Sequence, residues 1–216
     1  DDGLYAINKD KVTRFGIDEG LPEQKIRNIF FDSGKNLWVG TSDSGIAVFR
    51  NDGVTVYNKK NGLASDRVFA ISEDSEGKIW VGTVGGGISV IDKGKISNFS
   101  KDDGLTSDIV RVLFKDRENN MWAGTFGGGL NLFRKGVFSS ISSNNGLSDN
   151  VIFALLESSN GDIYAGTYGK GLNIISPDGT VKIFNSSNGL SGDIPGAIHE
   201  DRSGRIWVGS YGTGLD

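Results

Sequence analysis

The 216-residue chain has no cysteine and a single histidine, His199. The lack of cysteine excludes a disulfide framework and thiolate metal sites, although it does not identify a compartment. One histidine cannot build a multi-histidine metal centre. No apolar run approaches the roughly 18 residues that a membrane-crossing helix needs, and no charged-then-apolar leader opens the chain. The expectation is a mature soluble domain, or one cut from a longer protein, with no membrane insertion within it. Basic charge is not in excess either: 23 Lys and Arg face 27 Asp and Glu, for a net charge of −4. That balance disfavours nucleic acid or an anionic membrane as the main partner, since both need a basic face.

Glycine, in contrast, is abundant, with 33 residues, about twice the usual share of roughly 7%. The glycines recur at a fixed phase. Leu37-Trp38-Val39-Gly40-Thr41 returns around Trp80, Trp122, Tyr164 and Trp207, with spacings of 42, 42, 42 and 43 residues. In the best-defined unit, the segments RVFAISE (67–73), Ile79–Thr83, ISVID (88–92) and ISNFS (96–100) read as four short strands. Asp74-Ser75-Glu76-Gly77-Lys78, Gly85-Gly86-Gly87 and Lys93-Gly94-Lys95 read as the turns between them. No segment carries a helical period. Four antiparallel strands in a unit of about 40 residues describe a blade of an all-β propeller. Both faces of such a sheet need covering, and only neighbouring blades can cover them. A solenoid of hairpins is the rival architecture, but its repeat is usually shorter and its ends need polar caps.

Residues 1–216 are therefore expected to form one β-propeller domain of five repeats. The chain starts with the third and fourth strands of a blade, Leu4 to Asn8 and Lys11 to Phe15. It ends with a first and a second strand, Ile194 to Glu200 and Arg205 to Ser210. Joining the two half-blades would complete a fifth blade and hide both sheet edges. The alternative is a fragment of a larger, seven-bladed ring.

The recurring text from Asn61-Gly62-Leu63 to Ile88, and again from Asn145-Gly146-Leu147 to Leu172, resembles the two-component regulator propeller repeat. The resemblance covers essentially the whole chain. It implies the extracytoplasmic or periplasmic sensor of a bacterial hybrid histidine kinase or related regulator, many of which respond to oligosaccharides. The family usually has seven repeats per ring, and this chain departs from that with five. Dimerisation in the family is part of signalling, so a homodimer is implied as well.

Candidate ligand-binding residues lie on one face of the expected disc. There the glycine turns meet the connections between blades, and loops carry function more often than strands. Four residues after the repeat aromatic come Ser42, Val84, Phe126, Tyr168 and Tyr211. Three consecutive rings at this variable position suggest a floor for stacking sugar rings. Asp43 and Lys170 stand in the same turns, and Arg27 and Arg111 sit early in first strands near the expected channel mouth. The competing reading is that Phe126 and Tyr168 pack against a neighbouring loop. The four Trp residues and Tyr164, mid-strand at a fixed phase, are expected to pack between blades.

The triple-glycine turns lack the helix that a phosphate loop requires. Asp32, Asp74, Asp116 and Asp201 are read as turn residues rather than metal ligands, because no turn has the alternating acids of a calcium loop. No cofactor, metal or catalytic residue is expected. Three functions stand side by side: a glycan- or metabolite-sensing domain, a protein-interaction scaffold, and a lyase or hydrolase acting at the channel.

Overall fold

A computed structural model describes residues 3–216. The chain divides into two compact units. One runs up to Asp102 and includes Asp108–Val110; the other holds Asp103–Ser107 and Arg111–Asp216.

The first unit opens with the hairpin β1 (Leu4–Asn8) and β2 (Lys11–Phe15). Two four-stranded meanders follow. The first is β3 (Ile26–Phe31), β4 (Leu37–Thr41), β5 (Ile46–Arg50) and β6 (Gly53–Tyr57). The second is β7 (Val68–Glu73), β8 (Ile79–Thr83), β9 (Ile88–Asp92) and β10 (Lys95–Phe99).

The second unit repeats the plan with β11 (Val110–Lys115), β12 (Met121–Thr125), β13 (Leu130–Arg134) and β14 (Val137–Ile141). Next come β15 (Ile152–Glu157), β16 (Ile163–Thr167), β17 (Leu172–Ile175) and β18 (Val181–Phe184). The last sheet has three strands: β19 (Pro195–Glu200), β20 (Ile206–Ser210) and the short β21 (Gly214–Leu215).

The meander blades are those the sequence predicts. The composite fifth blade is not formed. Among the described residues, β1 and β2 hydrogen-bond only to each other as a two-stranded sheet. The third-strand place beside β20 is filled by the chain's own Gly214–Leu215. Main-chain bonds between Val208 and Asp216 extend that pairing. The sheets accord with the alternative, a portion of a larger propeller.

The connections also contain two helical turns that the sequence reading lacked, at Lys59–Asn61 and Lys101–Asp103. At the first, the Asn58 side chain accepts from Lys60 N and the Asn61 side chain accepts from Asn58 N. A single turn closed by its own side chains has no 3.6-residue apolar period to detect.

Sheets pack face to face through their alternating apolar residues. In the first unit Trp38, Val48 and Tyr57 of one sheet cluster with Val68, Ile71, Ile79 and Val81 of the next. The Trp38 indole stacks on Tyr57 and that of Trp80 on Phe99, at 6.1 and 6.0 Å between ring centroids. In the second unit Trp122 and Leu130 join Ile152, Ile163 and Ala165. In four of the five Gly-Leu loops the leucine is buried, at Leu21, Leu63, Leu105 and Leu147, whereas Leu190 is half-buried. Full burial of such a side chain contributes about 1.5–3 kcal/mol.

Each inter-repeat connection is strapped to the preceding glycine turn. The Asp108 carbonyl accepts from Gly85 N and Gly87 N, and the Asn150 carbonyl from Gly127 N and Gly129 N. The left-handed φ of +73° at Gly87 and the crowding of the Phe99 carbonyl there leave no room for a Cβ.

Candidate functional site

The glycine-turn face is shaped by bulges in the first strands β3, β7, β15 and β19. Pairing slips between Ile26 and Asn28, between Val68 and Ala70, between Ile152 and Ala154, and between Pro195 and Ala197. The skipped residues are Arg27, Phe69, Phe153 and Gly196, and Arg111 holds the same repeat position in β11. A bulge releases one residue from the alternation of the strand and re-aims its side chain. The residue after each second strand lies beside the bulge of its own sheet. Ser42 N, Val84 N, Tyr168 N and Tyr211 N donate to the carbonyls of Lys25, Arg67, Val151 and Ile194. Where the bulged residue carries a side chain, as at Arg27, Phe69 and Phe153, the sheet thus presents it beside the one from the turn.

In the first unit, Arg27 Nε donates to Ser42 Oγ at 2.9 Å, and its guanidinium lies 5.5 Å from the centroid of Phe69. Asp43 pairs with Arg67 at 3.6 Å, and its backbone N–H donates to Glu23. Both members of that ion pair are mostly exposed, so it contributes little to stability.

In the second unit, Arg111 sits 4.2 Å above the Phe153 ring, and Phe153 meets Tyr168 at 5.1 Å with ring planes tilted by 52°. Phe126, Tyr168 and Tyr211 are 47%, 55% and 78% exposed. Gly196 leaves the bulge of the last sheet without a side chain, and the Tyr211 ring stands beside it, 3.5 Å from where a Cβ would be. Lys170 lines an open cavity of about 330 Å³ together with Ser148, Asn185, Ser186, Ser187 and Asp193. Backbone and hydroxyl hydrogen bonds from Ser186 hold the Asp193 carboxyl below its usual range, so the cavity presents a cation, a carboxylate and several hydroxyl and amide groups.

Of the seven residues nominated from sequence, Arg27 and Asp43 belong to the first unit. Arg111, Phe126, Tyr168, Lys170 and Tyr211 belong to the second. Two further members were missed, Phe69 and Phe153, and both touch a nominated arginine. Their signal was present in the numbering: positions 27, 69, 111 and 153 alternate Arg, Phe, Arg, Phe at the repeat spacing. The inter-repeat acids act as loop clamps. Asp66 accepts from Lys59 N, Asp108 from Lys101 N and Asp193 from Ser186 N. His199 lies on β19, cross-strand from Trp207. Among the described residues, no three His, Asp or Glu side chains gather as a metal site.

The model of the two component regulator propeller matches residues 20–43, 62–85, 104–127, 146–169 and 188–212, together more than half of the chain. No curated protein sequence matches it. Among solved structures, it is similar to the extracellular domain of BT3049, a candidate hybrid two-component system of B. thetaiotaomicron. The two share 26% identity with a TM-score of 0.85, over 99% of this chain and 30% of that one. The extracellular domain of BT4673, a candidate one-component system of the same organism, is 23% identical with a TM-score of 0.75, over 96% of this chain and 30% of that one. This chain therefore spans about 30% of the length of these two relatives. Virginiamycin B lyase from Staphylococcus aureus, solved with quinupristin, shares the fold at 15% identity and a TM-score of 0.74, over 98% of this chain and 75% of the lyase chain. No helix among the described residues is long and apolar enough to cross a membrane. The chain belongs to the two component regulator propeller family.

Proposed function

We propose that this chain is a ligand-sensing part of an extracytoplasmic domain of a bacterial two-component regulator, and that it binds an oligosaccharide or similar small molecule on its glycine-turn face. The observation that carries this reading is the exposure of Phe126, Tyr168 and Tyr211 at one repeat position, beside sheets whose Trp80 and Trp122 rings are buried. Exposed rings repeated at one position offer flat amphipathic surfaces, and a pyranose presents a flat apolar face of matching size. The hydroxyl-rich cavity at Lys170 adds donors and acceptors next to Tyr168 in the same turn, the combination of apolar floor and few polar groups that orients small ligands. Membership of a regulator family and similarity to extracellular domains support the extracytoplasmic assignment.

The chain is read as a binder rather than a lyase or hydrolase. Its candidate residues are mainly rings, cations and hydroxyls, and among the described residues no three His, Asp or Glu side chains gather as a metal site. Calorimetric titration with a panel of oligosaccharides tests the reading. Binding that weakens in Tyr168→Ala and Tyr211→Ala supports it. Affinity unchanged by Phe126→Ala, Tyr168→Ala and Tyr211→Ala together contradicts the site.

A further inference from the structure

Cavities of similar size open at equivalent places in the two units. The one in the first unit measures about 330 Å³ and is lined by Asp32, Trp38, Arg50, Tyr57 and Lys93. The one in the second unit measures about 350 Å³ and lies between the sheets β11–β14 and β15–β18. Asp116, Trp122, Arg134 and Ile141 stand there at the same repeat positions, two repeats on. Both cavities are built from the turn after a first strand and the hairpin after a third strand. In an antiparallel meander those connections lie at the opposite end of the sheet from the glycine turns.

Three repeat positions change the character of the second cavity. Tyr57 stacks on Trp38 and Phe99 on Trp80. The equivalent residue at Trp122 is Ile141, which has no ring to lay on the indole. Lys93 gives way to Pro177, and Gly34 gives way to Glu118. The result is an apolar floor of Trp122, Leu132, Ile141, Ile163, Ile175 and Pro177, under a rim that holds Glu118 and Arg134.

The other charges of the lining are already engaged. The Asp116 carboxylate accepts from Trp122 Nε1, Asn120 N and Asn120 Nδ2 at 2.7–2.8 Å. Glu157 accepts from Arg117 N at 2.9 Å and pairs with its guanidinium. Glu118 and Arg134 have each other, 3.5 Å apart and mostly exposed, and Glu118 also accepts from Asn120 Nδ2 at 3.4 Å. An ion pair in water is held weakly, so its members can turn to a ligand at little cost. A guanidinium fork suits a carboxylate, a carboxylate suits an ammonium, and an indole face suits a flat ring. The volume lies within the range of about 300–1,000 Å³ typical of small-molecule sites.

We propose that the second-unit cavity binds a free aromatic α-amino acid. Its ring lies on the Trp122 indole, as the Tyr57 and Phe99 rings lie on Trp38 and Trp80. Its carboxylate meets Arg134 and its ammonium meets Glu118. The site is separate from the glycine-turn face and does not rest on the function proposed for that face.

Calorimetric titration of the whole chain with L-phenylalanine and L-tryptophan tests the proposal. The expected result is saturable binding of at least one of them. Ile141→Phe, which restores the residue type that the repeat carries at Phe99, should abolish it. Glu118→Gln and Arg134→Gln, on exposed side chains, should each raise Kd by about 2- to 5-fold. The neutral N-acetyl amide of the same amino acid keeps the ring and loses both charges, and should bind about 4- to 25-fold more weakly. Circular dichroism confirms that the variants are folded; if Ile141→Phe is not, the two rim variants and the neutral derivative carry the test. No saturable heat from either amino acid at millimolar concentration overturns the proposal. So does a neutral derivative that binds equally well, or an affinity that the folded variants leave unchanged.

Discussion

Each tryptophan in the repeat is anchored by a carboxylate six residues earlier. Trp38, Trp80, Trp122 and Trp207 donate their indole N–H to Asp32, Asp74, Asp116 and Asp201 at 2.8–3.0 Å. Where the aromatic is Tyr164, which has no indole, the acid is replaced by Ser158. The same carboxylates accept turn N–H groups, as Asp74 does from Glu76 and Lys78. The sequence reading found the turn role because it is local. The indole partner lies across the hairpin and becomes visible only with the register, although the joint change at 158 and 164 carries the signal. Asp74→Ala should cost about 1–3 kcal/mol by stranding buried donors. Trp80→Ala should cost about 3–5 kcal/mol through the cavity it leaves. The double variant should cost less than the sum, since both remove one interaction; urea unfolding reads all three.

The anchors also predict acid sensitivity. The Trp207 hydrogen bond is the main cause holding the Asp201 carboxyl below its usual range, and bonds from Arg205 and Ser203 add to it against desolvation. At Asp32, burial raises the carboxyl, but hydrogen bonds from Trp38 and Asn36 outweigh it and the net direction is down. A folded-state value below the unfolded one stabilises fully above the ordinary 3.8 and is lost as pH falls below it. The melting temperature should therefore be flat near neutrality and fall below about pH 4, and Asp201→Asn should make that fall shallower.

At the scale of strands and turns, the same glycine position means different things in different sheets. Gly82→Ala should cost about 1–3 kcal/mol by overpacking against Val110. Gly209→Ala, with only Ala197 in ordinary contact, should stay within about 0.5 kcal/mol. Thermal unfolding of the two variants side by side checks the contrast. The strands themselves were legible because alternation, turn glycines and the 42-residue spacing agree. The bulges were not. A bulge is a slip in pairing, so Phe69 and Phe153 look like ordinary apolar strand residues until β7 and β15 are aligned with β8 and β16. The composite blade failed for a related reason: the text at Gly3-Leu4 and at Gly214-Leu215 is equivalent, and the local copy took the place beside β20.

For the molecule as a whole, repetition specifies the architecture and departures from repetition mark the proposed site. Position 84 and its counterparts run Ser, Val, Phe, Tyr, Tyr while their neighbours barely change, and the three rings are exposed. That asymmetry was readable from sequence. The Lys170 cavity was not, because Asn185, Ser186 and Asp193 come from the loop after β18 and reach Lys170 only in the folded chain. On the scale of an aromatic pair, about 0.5–1.5 kcal/mol, each ring removed should change Kd by about 2- to 12-fold.

The most direct measurement is a calorimetric titration of the chain with oligosaccharides of increasing length, repeated on Phe126→Ala, Tyr168→Ala and Tyr211→Ala. The account predicts saturable binding, with Kd raised by each substitution and folded-state circular dichroism unchanged. No heat from any oligosaccharide, or a bound sugar indifferent to all three rings, would contradict it.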